Sequence, residues 1–247
     1  MTIVLGLDFE STGLDANKDR ITEIGACFYN LEAKTPLHMT SSLLYMSDYP
    51  DVHPEAGAKT GITTELLKAY GQDPAPIFKH LTDICATFGV EYLVGHNAKS
   101  FDSKFLKAAI DRGECPEFLG NIPWLDTRFD LPYPPGYDTR KLDYLAYEHG
   151  FMNPFPHRAL FDVMTMLKVA SFYECDEIVK FASEPSVVIS AQVSYENKDL
   201  AKDSKFSWER IGDDVYKKQW VKQVKASKLP EEMTKYPFRV VVCPKIS

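Results

Sequence analysis

The aliphatic run Ile3-Val4-Leu5 leading into "GLDFESTGL" (residues 6–14) constrains this chain more than any other stretch. A nearly continuous apolar segment over residues 2–8 predicts a buried central strand. Asp8 and Glu10 nevertheless sit at its end, two positions apart and therefore on one face. Side by side, two like charges repel and cost stability unless something neutralises them. A fold that keeps both must supply the counter-charge.

The pattern beyond that strand alternates. "RITEIGACFYN" (residues 20–30) and "LHMTSSLLY" (37–45) read as two further strands after turn-rich connections, so the chain opens as a meander. From Pro76 the spacing changes: Phe78, Leu81, Ile84, Cys85 and Phe88 recur at helical intervals, with Pro76 suited to a first turn. "EYLVGHN" (91–97) reads as a short strand, and "SFDSKFLKAAI" as a helix with Ser100 as its N-cap. A strand in "IPWLDT" follows, then a loop through Pro132, Pro134 and Pro135, then a helix carrying Leu142, Leu145 and Ala146 to His149 and Gly150. "ALFDVMTMLKVASFY" (159–173) is apolar nearly all round, which predicts a helix buried on most sides with Asp162 inside it. Three meander strands followed by strands alternating with helices predict an α/β fold, a mixed sheet covered on both faces.

A boundary is expected near "SEPS" (183–186), dividing a domain at 1–183 from a small C-terminal α+β appendage at 187–247. At about 60 residues the appendage is barely able to bury a core alone, so docking on the first domain is expected. The charge divides at the same place. Up to Pro185 there are 16 Lys and Arg against 27 Asp and Glu, and beyond it 12 against 8, within a net charge of −7. So acidic a first part does not grip a polyanion by bulk electrostatics; metal ions or a local basic surface would have to offset the repulsion. Five scattered cysteines, none in a C-x-x-C pair, argue against a disulfide framework and a zinc site. No segment approaches a membrane span and no signal-peptide pattern opens the chain, so a cytoplasmic protein without membrane partners is expected.

Three other residues break their local patterns as Asp8 and Glu10 do. Asp102 shares a helix face with Phe105, Leu106 and Ala109, at the rim of the packed stripe. Asp162 lies on the all-apolar helix, and His157, in a segment where Pro154 and Pro156 discourage helix, can be aimed from a loop toward the same place. Singly, each has an ordinary reading: a solvated strand carboxylate, a first-turn acid favoured by the helix dipole, a surface histidine. Together, four carboxylates flanking one strand cannot stay ionised unpaired. Oxygen ligands without Cys or clustered His favour Mg²⁺ or Mn²⁺, and two such ions can activate a water and hold a phosphodiester. A histidine beside them could take the proton from the attacking water.

The three segments "DFESTGL", "HNAKSFD" and "HRALFD" resemble, in order, the motifs of the DEDD superfamily of 3′-to-5′ exonucleases. The H-x-x-x-x-D form of the third is similar to the histidine branch, with the proofreading subunit of bacterial replicases, ribonuclease T and exodeoxyribonuclease X. The resemblance spans the first three quarters of the chain. It implies a ribonuclease-H-like fold with a mixed five-stranded sheet, Asp8, Glu10, Asp102 and Asp162 as ligands of two Mg²⁺ or Mn²⁺ ions, and His157 as general base. It also implies that Glu10 contacts the terminal 3′ hydroxyl, and that Phe9, Ser11, Thr12, Gly13 and Leu14 border the slot for the last nucleotide, Leu14 as a wedge beside the base. Asn97, Phe101 and His157 would lie near the substrate strand. Thr60 in "TGIT", where the family often has His, departs from the pattern. From the residues themselves, Gly13 fits a tight turn that brings backbone N–H groups near a phosphate.

Other positions read as structural. His38, His53, His80 and His149 have no ligand spacing, His96 beside Asn97 is a structural candidate, and Glu23 in "ITEIG" is expected to orient the sheet or be solvated. Tyr133 and Tyr137 could touch a base or be ordinary loop tyrosines. In the appendage, Trp208, Tyr216 and Trp220 interleaved with Arg210, Lys217, Lys218 and Lys222 read as a platform for bases and phosphates, with a plain core of Phe206, Trp208 and Trp220 as the other reading. The expected function is a metal-dependent 3′-to-5′ exonuclease releasing nucleoside 5′-monophosphates, with DNA favoured over RNA as partner. The alternatives are a 3′-to-5′ exoribonuclease and, in a different class, a non-catalytic nucleic-acid-binding or replisome-docking module.

Overall fold

The computed structural model describes residues 1–134, 136–137, 139–210 and 218–243. Pro135, Tyr216 and Lys217, singled out above, lie outside them, as does the side chain of Arg210. The chain forms two compact units, Met1–Ala182 and Ser183–Ser247.

The first unit runs β1 (Ile3–Ser11), β2 (Ile21–Asn30), β3 (Thr35–Leu43), α1 (Pro54–Thr60), α2 (Thr64–Tyr70), α3 (Pro74–Phe88), β4 (Tyr92–Gly95), α4 (Asp102–Asp111), α5 (Glu117–Gly120), β5 (Trp124–Asp126), α6 (Leu142–Glu148), α7 (Ala159–Ala170) and α8 (Cys175–Ser183). Its strands form one mixed sheet in the order β3-β2-β1-β4-β5. The β1–β2 and β2–β3 pairs are antiparallel, and the β1–β4 and β4–β5 pairs are parallel. Alternation along β1 divides its side chains between two cores. Leu5, Leu7 and Phe9 pack with Phe78 and Leu81 of α3 and Phe105 and Leu106 of α4. Val4, with Cys27 and Tyr29 of β2, packs against Val163, Met166 and Leu167 of α7. Parity therefore puts Asp8 and Glu10 on the α7 face.

Helix α7 lies very close to that face because two glycines admit it. A Cβ on Gly6 would meet Leu167 Cδ1 at 2.8 Å, and one on Gly25 would meet the α7 backbone itself, Leu160 N at 2.2 Å and the Ala159 carbonyl carbon at 2.3 Å. Ala159, Val163, Met166, Leu167, Val169 and Ala170 are buried, in keeping with the all-apolar pattern.

Several elements differ from the sequence-based expectation. Ser100 is exposed and does not cap α4; the N-cap is Phe101, without a side-chain bond. The Ser103 and Lys104 N–H groups donate to the carbonyls of Ala98 (2.9 Å) and Phe101 (3.0 Å), so backbone oxygens replace a cap. Tyr133 is buried, donates to the Thr127 carbonyl (2.7 Å) and carries the Arg140 guanidinium over its ring, which removes it from any solvent-facing role.

The second unit is built on β6 (Ser186–Gln192), α9 (Lys198–Asp203), β7 (Ser207–Arg210), β8 (Lys218–Lys225), α10 (Leu229–Glu232) and β9 (Arg239–Val242). The strands form an antiparallel sheet in the order β7-β8-β6-β9. Ile189, Ala191, Ala201, Phe206, Val224 and Val240 make its core, with Trp220 packed against them. Trp208, 51% exposed, stands against Trp220 at 5.3 Å between centroids. Lys222 turns toward Glu232 (3.1 Å) and Tyr236 (2.8 Å). Phe206 and Trp220 thus follow the core reading, Trp208 departs from it as the ring that faces solvent, and Lys222 is engaged within the unit. All five cysteines are buried and free, and no helix among the described residues is long and apolar enough to cross a membrane.

Replacing Gly25 with Ala forces the start of α7 off the sheet. Because the obstruction is backbone, Gly25→Ala is expected to cost about 3 kcal/mol, the upper end for an overpacked core. Urea unfolding followed by circular dichroism measures it, and a loss under ~0.5 kcal/mol would contradict the close approach.

Candidate active site

The carboxylates meet where β1 outruns its parallel neighbour. The β1–β4 pairing ends at Gly6 opposite Val94. Beyond it the Phe9 N–H donates to Asp102 Oδ1 at 3.0 Å, which seats the buried carboxylate at the start of α4 against the backbone between Asp8 and Glu10. The carboxyl ends of parallel strands, where neighbours diverge, are where open α/β sheets form ligand crevices.

Helix α7 delivers the remaining groups. Glu10, His157 and Asp162 each offer one ligand atom within 4.8 Å of the others, the single such group of His, Cys, Asp or Glu among the described residues. His157 holds φ at 63°, an unusual value for a residue with a side chain, and its N–H donates to Asp162 Oδ2 at 3.1 Å. Asn153 donates from Nδ2 to the other oxygen (2.5 Å) and accepts from the Phe155 N–H (3.1 Å). The loop bracketed by Pro154 and Pro156 is thereby folded onto the Asp162 carboxylate.

Glu23 lies opposite Glu10 in the β1–β2 register and is only 2% exposed. It is not solvated. Arg158 donates to it from Nη2 (2.7 Å) and Nε (3.1 and 3.2 Å), and the Ala159 N–H adds a bond of 3.0 Å.

The electrostatics are those of an uncompensated acidic cluster. Loss of solvent, then the fields of Asp162 and Glu23, push Glu10 up to about 8. Loss of solvent pushes Asp102 up to about 8 against the opposing Phe9 hydrogen bond. Asp162 rises to about 6, mainly through burial, with its His157 and Asn153 hydrogen bonds opposing the rise. Asp8 is raised well above the carboxylate range by loss of solvent and then by Asp102, Asp162, Glu10 and Glu23. Lys59, near the end of α1, pulls Glu10 and Asp162 down. It also adds to the burial that lowers His157, keeping that imidazole neutral. Carboxylates that repel one another beside a neutral imidazole are a donor set that a hard divalent cation fits.

The residues expected to border the substrate fall into two groups. Leu14 is 86% exposed beyond the end of β1, and Gly13 is half-buried. A Cβ on Gly13 would fall 2.6 Å from an Asp19 carboxylate oxygen, so it is the approach of Asp19, not a positive φ, that requires glycine there. The others face inward. Phe9 packs edge-on against Phe78 in the core, so it meets the site only through its N–H. Ser11 donates to the Gly13 carbonyl (2.5 Å). Thr12 is fully buried: its hydroxyl donates to Asp19 (3.0 Å) and accepts from the Arg20 N–H (3.0 Å), so that side chain serves the turn. Asn97 and Phe101 are half-buried: the Asn97 backbone sits at φ 66° with its N–H bonded to buried Asp126 (2.8 Å), and the Phe101 ring lies tilted against Phe105 at 4.7 Å between centroids. His96 bridges the Thr127 hydroxyl (2.9 Å) and the Arg140 carbonyl (2.8 Å); burial lowers it to about 4, which suits a neutral structural bridge. Asn153, Lys59, Arg158 and Asp126 shape the site without having stood out in the sequence. Two of them adjoin the third motif: Arg158 lies inside "HRALFD", and Asn153 stands four residues before His157, next to Pro154.

The exonuclease family model RNase_T matches residues 5–170. No curated protein sequence matches the chain. Among solved structures, Escherichia coli exonuclease I in complex with single-stranded DNA is similar at TM-score 0.63 and 16% identity, over 91% of this chain and 63% of that one. The nuclease domain of 3′hExo, described as a DEDDh family member bound to rAMP, is similar at TM-score 0.57 and 17% identity, over 69% of this chain and 90% of that one. A 3′-exonuclease that recognises the histone mRNA stem-loop is similar at TM-score 0.55 and 16% identity, over 69% and 80%. The chain thus spans less than two thirds of the length of the exonuclease I chain. These likenesses match the fold built above, and with a family model that covers most of the first unit, including every carboxylate of the cluster, the chain belongs to the RNase_T exonuclease family.

Proposed function

We propose that the chain is a metal-dependent 3′-to-5′ exonuclease that removes nucleoside 5′-monophosphates from the 3′ end of DNA, single-stranded or frayed. One observation carries this reading: Glu10, His157 and Asp162 bring ligand atoms within 4.8 Å of one another beside the Asp102 carboxylate held on β1. In it Asp8, Glu10, Asp102 and Asp162 hold two Mg²⁺ or Mn²⁺ ions. Bound there, such ions supply a water acidified toward neutral pH and positive charge for the scissile phosphate and its leaving oxygen. His157, neutral through burial and the field of Lys59, accepts the proton of the attacking water at a ring nitrogen. Asp162 fixes the backbone from which that ring projects. Leu14, exposed past the end of the strand, offers an apolar edge to the terminal base. DNA is favoured over RNA because the likeness to the exonuclease I–DNA complex extends over 91% of the chain, into the second unit, whereas the RNA-associated structures match 69%.

Digestion of 3′- and 5′-labelled DNA and RNA oligonucleotides with Mg²⁺, Mn²⁺ or EDTA tests the assignment. The expected result is stepwise loss of the 3′ label from DNA, abolished by EDTA. Faster turnover of RNA would move the assignment to an exoribonuclease, and intact 3′ ends under every metal would leave a binding module. His157→Ala and Asp162→Asn are each expected to lower kcat by about 10²- to 10⁴-fold while the protein stays folded.

The acidic cluster also sets the pH dependence of stability. Folded-state values of about 8 for Glu10 and Asp102 stand above their ordinary 4.5 and 3.8. Between those limits the folded protein binds more protons than the unfolded chain, so the stability of the metal-free protein falls as pH rises from ~4 to ~8. A divalent cation binds the ionised form. Millimolar Mg²⁺ or Mn²⁺ is therefore expected to raise the Tm more at pH 8 than at pH 5. A metal-induced shift that is absent, or larger at pH 5, in thermal scans would count against the cluster as the metal site.

A further inference from the structure

Glu23 is absent from the set of groups assigned to the reaction, yet its bonds converge on the junction that leads into the site. Its carboxylate accepts three close contacts from the Arg158 guanidinium, one from the Ala159 N–H and a longer one from the Ser41 hydroxyl (3.4 Å). Ala159 is the first residue of α7, and its N–H is one of the donors a helix leaves unpaired. The N-cap residue, Arg158, has no oxygen in its side chain and makes no capping bond. Glu23, 136 positions away in sequence, supplies the missing acceptor, and its negative charge sits at the positive end of the helix. Both the backbone and the side chain of this junction are thus held by one carboxylate.

What the junction carries is the chemistry. His157 immediately precedes Arg158, and Asp162 follows within the first turns of α7. His157 keeps an unfavourable left-handed backbone, a state that persists only where neighbouring bonds over-determine it. One bond comes from within the loop, to Asp162. On the other side, the Arg158–Glu23 ion pair fixes the next residue, and Gly25 lets the helix start rest directly on β2. We propose that Glu23, through Arg158 and the Ala159 amide, is a positioning residue that sets His157 and Asp162 against Glu10. The proposal rests on the exonuclease reading above. Glu23 touches no substrate in it; it acts by holding the two groups of α7 at the depth and angle at which they meet β1.

Glu23→Gln is nearly isosteric and removes the charge that anchors Arg158. Under single-turnover conditions on a 3′-labelled single-stranded oligodeoxynucleotide with Mg²⁺, it is expected to slow cleavage about 10- to 100-fold, the cost of a misplaced reacting group, and to leave half-saturation within about 2-fold. Introducing it into His157→Ala separates positioning from a general loss of folded protein. Positioning predicts non-additivity, with Glu23→Gln costing clearly less once His157 is gone because only the displacement of Asp162 is still felt, whereas partial unfolding imposes the same factor in both backgrounds. Equal losses in the two backgrounds, or no loss in the wild-type background, would overturn the proposal. If Glu23→Gln does not fold, Arg158→Lys, which keeps the charge and loses the planar fork, is carried through the same cycle with the same expectations. A wild-type protein inactive on every oligonucleotide would instead refute the exonuclease reading itself, so the two failures are distinguishable.

Discussion

The close approach of α7 to two glycines of neighbouring strands, where no Cβ stands between, is the constraint on which the first unit turns. Gly6 and Gly25 create that contact, one under Leu167 and the other under the backbone of Ala159 and Leu160. Without it the start of α7 would stand a side chain higher above the sheet, and Asp162 and His157 would be carried away from Glu10. The apolar packing of α7 over Val4, Cys27 and Tyr29 holds the helix down, and the glycines determine how far down it comes. Close packing of this kind leaves little slack: cores resemble crystals in density, so a shift at one end is transmitted along the element.

Packing brings the acids together against their own repulsion. Each of the four is displaced upward chiefly by loss of solvent, and Asp8 and Glu10 further by their neighbours. Around that cluster the hydrogen bonds that hold the acids come from neutral donors, while Lys59 acts on Glu10 and Asp162 through its field. The Phe9 and His157 amides and the Asn153 side chain each hold a carboxylate in place without cancelling its charge. The Arg158 guanidinium, whose charge is felt by Glu10, is occupied by Glu23. A site arranged this way is fixed in shape while still short of positive charge, which is the condition for taking up a cation from solution.

Much of this was legible in the sequence because it is periodic or local. The five strands of the first sheet and helices α3, α4, α6 and α7 follow from alternation, helical spacing, prolines and glycines. The acids announced themselves as carboxylates interrupting apolar patterns. Helices α1 and α2 left no such trace, since α1 buries nothing and α2 buries only Leu67. Contacts between distant segments were equally silent: Glu23 with Arg158, Asp126 with Asn97, the Thr12 hydroxyl turned to Asp19. Ser100 looked like a cap on propensity alone, and backbone carbonyls had already taken that place. Tyr133 looked like a loop tyrosine because nothing local shows that Arg140 and Thr127 close over it.

The bond from Phe9 to Asp102 has one more consequence. With Oδ1 committed to a backbone amide, this buried acid is tied to the strand as well as to its own helix. Its position is then inherited from the pleat of β1, and a shift of α4 cannot move it without breaking the strand's own amide free.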